Sequence, residues 1–240
     1  PTNLKNKFYM NSDYSVSDYQ SKLAQSTLIK NVYLWMTAAL AITGITAMAV
    51  SNSYAMQQLI FGSRFMFFGL IIAELALVWY VSARIQSLSF TTATGLFMLY
   101  SFINGLTLSV IFLAYTTTSI ASTFFVTAGT FGAMSLYGYF TKKDLTSLGN
   151  LLFMLLIGLI IATVVNIFWA NSTLYWITTY AGIFIFVGLT AYDTQKIKRL
   201  LNGQEITEES QKMALLGALS LYLDFINLFL YLLRIFGDRK

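Results

Sequence analysis

Three acidic residues fall deep inside apolar stretches of this chain: Glu74, Asp193 and Asp224. A charged side chain in hydrocarbon costs at least a few kcal/mol and by default marks function. Glu74 lies ten residues from both Arg64 and Arg84, roughly 15 Å from each at 1.5 Å per helical residue. Asp224 is twelve residues past Lys212 and ten before Arg234, again mid-segment. Asp193 is nearer an edge, six residues before Arg199, or about 9 Å. Carboxylates so placed point to an ion path or a proton relay. The chain has no Cys and no His, which excludes disulfides, thiolate or imidazole metal sites, cysteine nucleophiles and imidazole catalysis.

Asp224 has polar company. Gly217, Ser220, Asp224, Asn227 and Tyr231 recur at helical spacing on one face, and a small-and-polar stripe on a membrane helix meets other helices or water. The opposite face, from Leu219 to Leu230, suits lipid or apolar packing. Gly182, Phe186, Thr190 and Asp193 share a face one segment earlier, as do Asn104 with Thr107 and Thr163 with Asn166. Two readings stay open for these groups: hydrogen bonds between helices, or the lining of an ion path. For Glu74, too, bonding to a neighbouring carbonyl stands beside an ion-path role.

The elements that carry these residues follow from composition. Apolar residues are 57% of the 240 and charged residues only 10%, against about 25% charged in a soluble domain. Too few charges remain to solvate a surface, and disorder needs the opposite balance. The charge-free runs Asn31–Ser63, Ile85–Thr141 and Leu145–Tyr192, with the apolar stretches 64–84 and 213–235, are long enough for helices of about 20 residues. They predict an all-α polytopic membrane protein with seven spans, near 31–51, 64–84, 89–113, 120–140, 148–169, 174–195 and 213–235. The longest connector is expected at 196–212, with Thr207 as N-cap of the last helix and acids in its first turn. Residues 1–28 read as a polar, frayed tail ahead of a single membrane domain over 29–237.

Eleven of the fifteen basic residues fall on one side of this arrangement, among them Lys142, Lys143, Lys196, Lys198 and Arg199. The positive-inside rule then places the N-terminus in the cytoplasm and the C-terminus outside. The basic tail, Arg234 to Lys240, runs against that bias and keeps open six spans with a re-entrant last segment. Topology alone explains the net charge of +5, so no nucleic-acid partner is called for.

The end of span six reads Gly188-Leu189-Thr190-Ala191-Tyr192-Asp193-Thr194-Gln195-Lys196-Ile197, and span seven reads Ala218-Leu219-Ser220-Leu221-Tyr222-Leu223-Asp224-Phe225-Ile226-Asn227-Leu228-Phe229. With Phe102-Ile103-Asn104-Gly105-Leu106-Thr107-Leu108 and the turn Lys142-Lys143-Asp144-Leu145, these segments resemble the Bax inhibitor-1, or transmembrane Bax inhibitor motif, family in a bacterial form. The resemblance covers about residues 20–237.

That resemblance implies seven helices with the last one central, enclosed by the other six. It implies a pH-sensitive calcium leak in the bacterial inner membrane, with Asp193 and Asp224 matching the family's paired aspartates and forming its possible calcium contacts. Arg84 matches an arginine that latches the first aspartate, although it stands alone where bacterial relatives carry a basic cluster. Glu74 matches a recurrent acid, and Asn104, Ser220, Asn227 and Tyr231 are candidates for the ion path. Two carboxylates a few ångströms apart cannot both ionise cheaply and titrate as a unit. The depths of Asp193 and Asp224 differ by about 9 Å in straight helices, so pairing requires tilt or a last helix that starts below the membrane surface.

No enzyme activity and no cofactor are expected, the lipid bilayer and calcium being the partners. A rival role is modulation of a membrane-anchored AAA protease through the N-terminal tail. A proton-coupled transporter fits the buried acids, but inverted repeats and broken helices are not evident. A retinal protein lacks a Lys in span seven. An intramembrane protease lacks the Gly beside Asp224 that would let a scissile peptide approach.

Overall fold

A computed structural model describes the backbone of residues 2–240 and the side chains of residues 19–240. The helices in chain order are α1 (Thr2–Ser51), α2 (Tyr54–Phe61), α3 (Arg64–Arg84), α4 (Phe90–Leu108), α5 (Val110–Ala114), α6 (Thr117–Phe140), α7 (Thr146–Trp169), α8 (Ser172–Leu200) and α9 (Glu208–Phe236). Seven stretches are long and apolar enough to cross a membrane, α4 and α5 counting together. The polytopic all-helical architecture expected from the charge-free runs is therefore the one observed. Of the expected tail, residues 1–18 lie outside the described side chains, while residues 19–28 belong to α1 and its Leu28 is wholly buried.

The chain ends its helices where backbone groups find side-chain partners. Ser53, Ser89, Thr116 and Asn171 each accept a backbone N–H in the first turn that follows them. Thr207 and Ser210 form a reciprocal capping box, with Glu208 and Glu209 at the positive end of the α9 dipole. α7 closes on Ala170, a non-glycine residue in the left-handed region at φ 45°. The connector after α8 is only 201–207, shorter than expected, because α8 and α9 both run past the apolar run into polar sequence.

α9 is an unbroken helix whose most apolar window is 61% buried, the largest share of any span. It packs against α1, α4, α6 and α8. Leu219, Leu221, Ile226 and Leu228 are buried, so the apolar face of α9 meets protein and not lipid. α3 and α7, at 6% and 11% buried, are the peripheral helices. The re-entrant alternative does not hold, since the residues after α9 dock at the far end of the bundle. There Thr116 N–H donates to the Asp238 carbonyl at 3.0 Å and Lys240 N–H to the Ala114 carbonyl at 3.1 Å. Asp238 N–H and Ser119 Oγ also pair at 3.0 Å, and Ser119 Oγ donates to Asp238 Oδ2 at 3.2 Å. The C-terminal residues thus share a side with the α5–α6 turn, opposite the Lys142–Lys143 turn and the basic end of α8 at Lys196, Lys198 and Arg199.

The basic end of the bundle is tied by its own set of bonds. Gln195 accepts Leu145 N–H at 2.9 Å and donates to the Lys143 carbonyl at 2.8 Å. Lys198 Nζ donates to the Tyr139 carbonyl at 2.7 Å and lies 4.5 Å from that ring. Lys212, which is 5% exposed, donates to the carbonyls of Gln86 and Leu88. Asp144 pairs with Arg199 at 2.8 Å on the surface. Its carboxyl is held down at about 2, first by the Thr146 hydroxyl, then by the Thr146 N–H and Arg199.

Candidate functional site: the acid cavity between α3 and α7

α8 and α9 run antiparallel, and their register sets the depth of the two aspartates. A Cβ at Gly217 would meet Ile197, and the Tyr231 ring lies where a Cβ at Gly182 would stand. Pairs whose numbers sum to about 413–414 are therefore level. Asp224 is level with about residue 190, three residues from Asp193, an axial offset of roughly 4.5 Å. This is half the offset inferred from straight spans, because α8 continues to Leu200 and α9 begins at Glu208. The two carboxylates are electrostatic neighbours.

Both acids open onto a cavity of about 1150 Å³ bounded by α3 on one side and α7 on the other. Glu74, Ser220, Asn227 and Tyr231 line the same space, so the polar stripe of α9 faces it. A smaller space of about 280 Å³ shares Ser82, Asp193, Lys196, Ser220 and Leu223 with it and continues toward the basic end past Leu216. At the opposite end Tyr231 stacks on Phe186 at 5.9 Å, and the Arg234 guanidinium lies 4.8 Å from the Tyr231 ring and 5.4 Å from Tyr175. A second large cleft, about 950 Å³ between α1 and α6, carries no acid or base among the described residues of its wall.

Asp224 is 5% exposed, and its Oδ2 has no hydrogen-bond partner among the described residues. Polar groups buried to this degree are nearly always bonded. Asp193, half-buried, has Lys196 as its cationic neighbour, one turn along α8. Glu74 is held differently. Thr107 Oγ1 donates to Glu74 Oε1 at 2.6 Å and Asn104 Nδ2 to Oε2 at 3.1 Å. Behind Asn104, Tyr222 donates from its hydroxyl to Asn104 Oδ1 at 3.0 Å and lies 2.7 Å from Thr43 Oγ1. A chain of hydroxyl and amide donors thus runs from α1 through α9 and α4 to the carboxylate on α3. Among the described residues no three acids gather closely enough to hold a metal ion, so Glu74 does not join the aspartates in a common cluster.

Arg84 and Asn104 do not line the cavity. Arg84 ends α3, is exposed and engages no carboxylate among the described residues, whereas Asn104 reaches the cavity only through Glu74. Thr163 lines it from α7, but Asn166 turns away and accepts the Asn171 N–H at 2.9 Å beyond the helix end. In the sequence Lys196, Lys198 and Arg199 read as topology anchors. The signal for Lys196 was its three-residue spacing from Asp193, which puts both on one face. Tyr222 and Thr43 carried no sequence signal, since a buried hydroxyl relay looks like ordinary aromatic packing.

Residues 25–240 match the family model described as inhibitor of apoptosis-promoting Bax1. The chain is 54% identical over 230 residues to the inner membrane protein YbhL of Escherichia coli strain K12, covering 94% of this chain and 97% of that protein. It is 45% identical over 222 residues to an uncharacterized protein of Borreliella burgdorferi, covering 90% and 96%. A Deinococcus radiodurans protein, also uncharacterized, shares 38% over 213 residues, covering 89% and 91%. With the family model spanning nearly the whole chain and these likenesses extending from end to end, the protein is a member of the Bax inhibitor-1 family.

Proposed function

We propose that this protein is a slow, pH-sensitive calcium leak of the bacterial inner membrane, with Asp193 and Asp224 as its paired sensor and the cation's contact point. One observation carries the reading: two carboxylates from α8 and α9, one turn apart, face a single cavity that continues toward the basic end. A hard dication favours carboxylate oxygens, and a site with only two of them lets an ion pass on. Calcium is the cargo here and not a resident cofactor. The YbhL likeness supports the inner membrane as the location, and the basic turns at one end support a cytoplasmic N-terminus.

The gate follows from the same groups. Asp193 exchanges between two cations: Lys196, its neighbour in this arrangement, and Arg84, the latch at the end of α3. A proton on the pair weakens the hold of Asp193 on Arg84 and frees α3, the least buried span. Asn227, Ser220 and Tyr231 continue the path along α9, and Glu74 with its donor chain anchors the middle of α3. The test is calcium flux into proteoliposomes at two pH values. Asp224→Asn and Asp193→Asn are expected to flatten the pH response, and an unchanged pH-dependent flux in Asp224→Asn defeats the proposal.

A further inference from the structure

The cavity is far larger and greasier than a bare cation requires. Ligand pockets for drug-sized molecules span about 300–1,000 Å³, and this one reaches about 1150 Å³. Its α7 wall presents Phe153, Leu156 and Ile160, and its α3 wall Val78 and Trp79. α3 and α7 share no packed interface, and both are peripheral, so the space between them faces the bilayer. Asp224 in its wall is 5% exposed, with an oxygen that no donor among the described residues reaches. Against the three carboxylates that line it stands a single lysine, Lys196. An apolar side entrance leading to an unpartnered, net-acidic end fits a molecule with an apolar body and a cationic donor head.

We infer that this cavity binds lipophilic ammonium compounds, which enter from the bilayer between α3 and α7 and set their N–H donors on Asp224 and Asp193. The ammonium satisfies the orphaned Asp224 oxygen with a charge-assisted bond, and its chain displaces lipid from the apolar walls. The aromatic faces of Trp79 and Phe153 add a further attraction for the cation on its way in. The inference uses the same cavity as the leak but does not depend on calcium passing through it.

Trp79 supplies the reporter, because it lines the cavity. The full chain with Trp35, Trp169 and Trp176 replaced by Phe, in nanodiscs of zwitterionic phospholipid, is titrated with 11-bromoundecylammonium and with the uncharged 11-bromoundecanol. Bromine quenches indole only at close range. The ammonium is expected to quench saturably at a concentration at least tenfold below the alcohol, and Asp224→Asn to remove that advantage. Asp193→Asn serves as second variant should circular dichroism show that Asp224→Asn has lost its helices. Equal quenching by the two probes, or an advantage retained in both variants, overturns the inference. Calcium flux measured on the same proteins separates the two readings. Equal quenching with an aspartate-dependent flux removes only the ammonium site, and the reverse removes only the leak.

Discussion

Gly105 sits where α4 passes close to α1, one residue from Asn104 and its bond to Glu74. A methyl group there would stand 2.6 Å from Thr46 Cβ, 2.7 Å from the Thr43 carbonyl oxygen and 3.1 Å from Thr46 Cγ2. Ordinary contact begins at 3.4 Å, so the carbonyl is too near by 3.4 less 2.7, or about 0.7 Å, and it is backbone inside a helix. Relief requires α1 and α4 to part by that amount. Overpacking of this kind costs about 1–3 kcal/mol, partly offset by the roughly 0.5–1 kcal/mol that Ala gains over Gly within a helix. Gly105→Ala is expected to destabilise by about 1–2 kcal/mol, lowering a melting temperature by about 2–8 °C for a chain of this size. Gly95→Ala, on the same helix with nothing within 4 Å of the added methyl, is the matched control and should be neutral or slightly stabilising. The assay is tryptophan-fluorescence melting of both variants in one detergent at one scan rate. A Gly105→Ala protein that melts with Gly95→Ala would refute the close approach and the reasoning built on it.

Four further outcomes follow from particular contacts. Tyr222→Phe removes the hydroxyl that joins Asn104 to Thr43, and should cost about 1 kcal/mol at the modest worth of hydrogen bonds between membrane helices, read by the same melting assay. Ala170→Gly relieves a left-handed residue at the end of α7 and should stabilise by up to about 1 kcal/mol, again by melting. Asp144 has its carboxyl lowered to about 2 from the ordinary 3.8. Its stabilising contribution is therefore present above about 4 and lost as pH falls through about 2. Asp144→Asn is thus expected to leave the pH profile of calcium flux around neutrality unmoved, a shift in that profile being the adverse result. Ser119→Ala deletes two bonds to Asp238, and hydrogen exchange at residues 237–240 should quicken while α9 itself stays protected.

The spans were legible because charge is so scarce that each basic or acidic turn marks a membrane edge. The second span coincides with α3, and the later ones differ from α6 to α9 mainly in where polar first turns begin. Less legible was what happens outside the hydrocarbon. Thr207 as N-cap and the acids in the first turn of α9 were readable, but composition does not show that α8 continues through Lys196 and Lys198, and it is this overrun that brings Asp193 level with the turn before Asp224. The short helix α2 and the break at Ser109 leave no composition signal either. Glu74, Asp224 and the stripe through Ser220, Asn227 and Tyr231 were readable from spacing alone. Lys196 was not, since a lysine near a helix end has an adequate explanation as an anchor. The cavity wall of α7 was hidden for a simpler reason: apolar residues facing a void and apolar residues facing lipid look alike in a sequence.

α9 is moored at both tips. Lys212 grips the turn between α3 and α4 at one, and Asp238 and Lys240 fasten the other to the α5–α6 turn. A rod fixed at both ends cannot slide along its axis. A movement that widens this bundle falls most easily to the least buried span, α3, which packs on its neighbour α4 and the short α2. The last helix then stays in place as a post, and α3 would swing on α4 like a door on its frame.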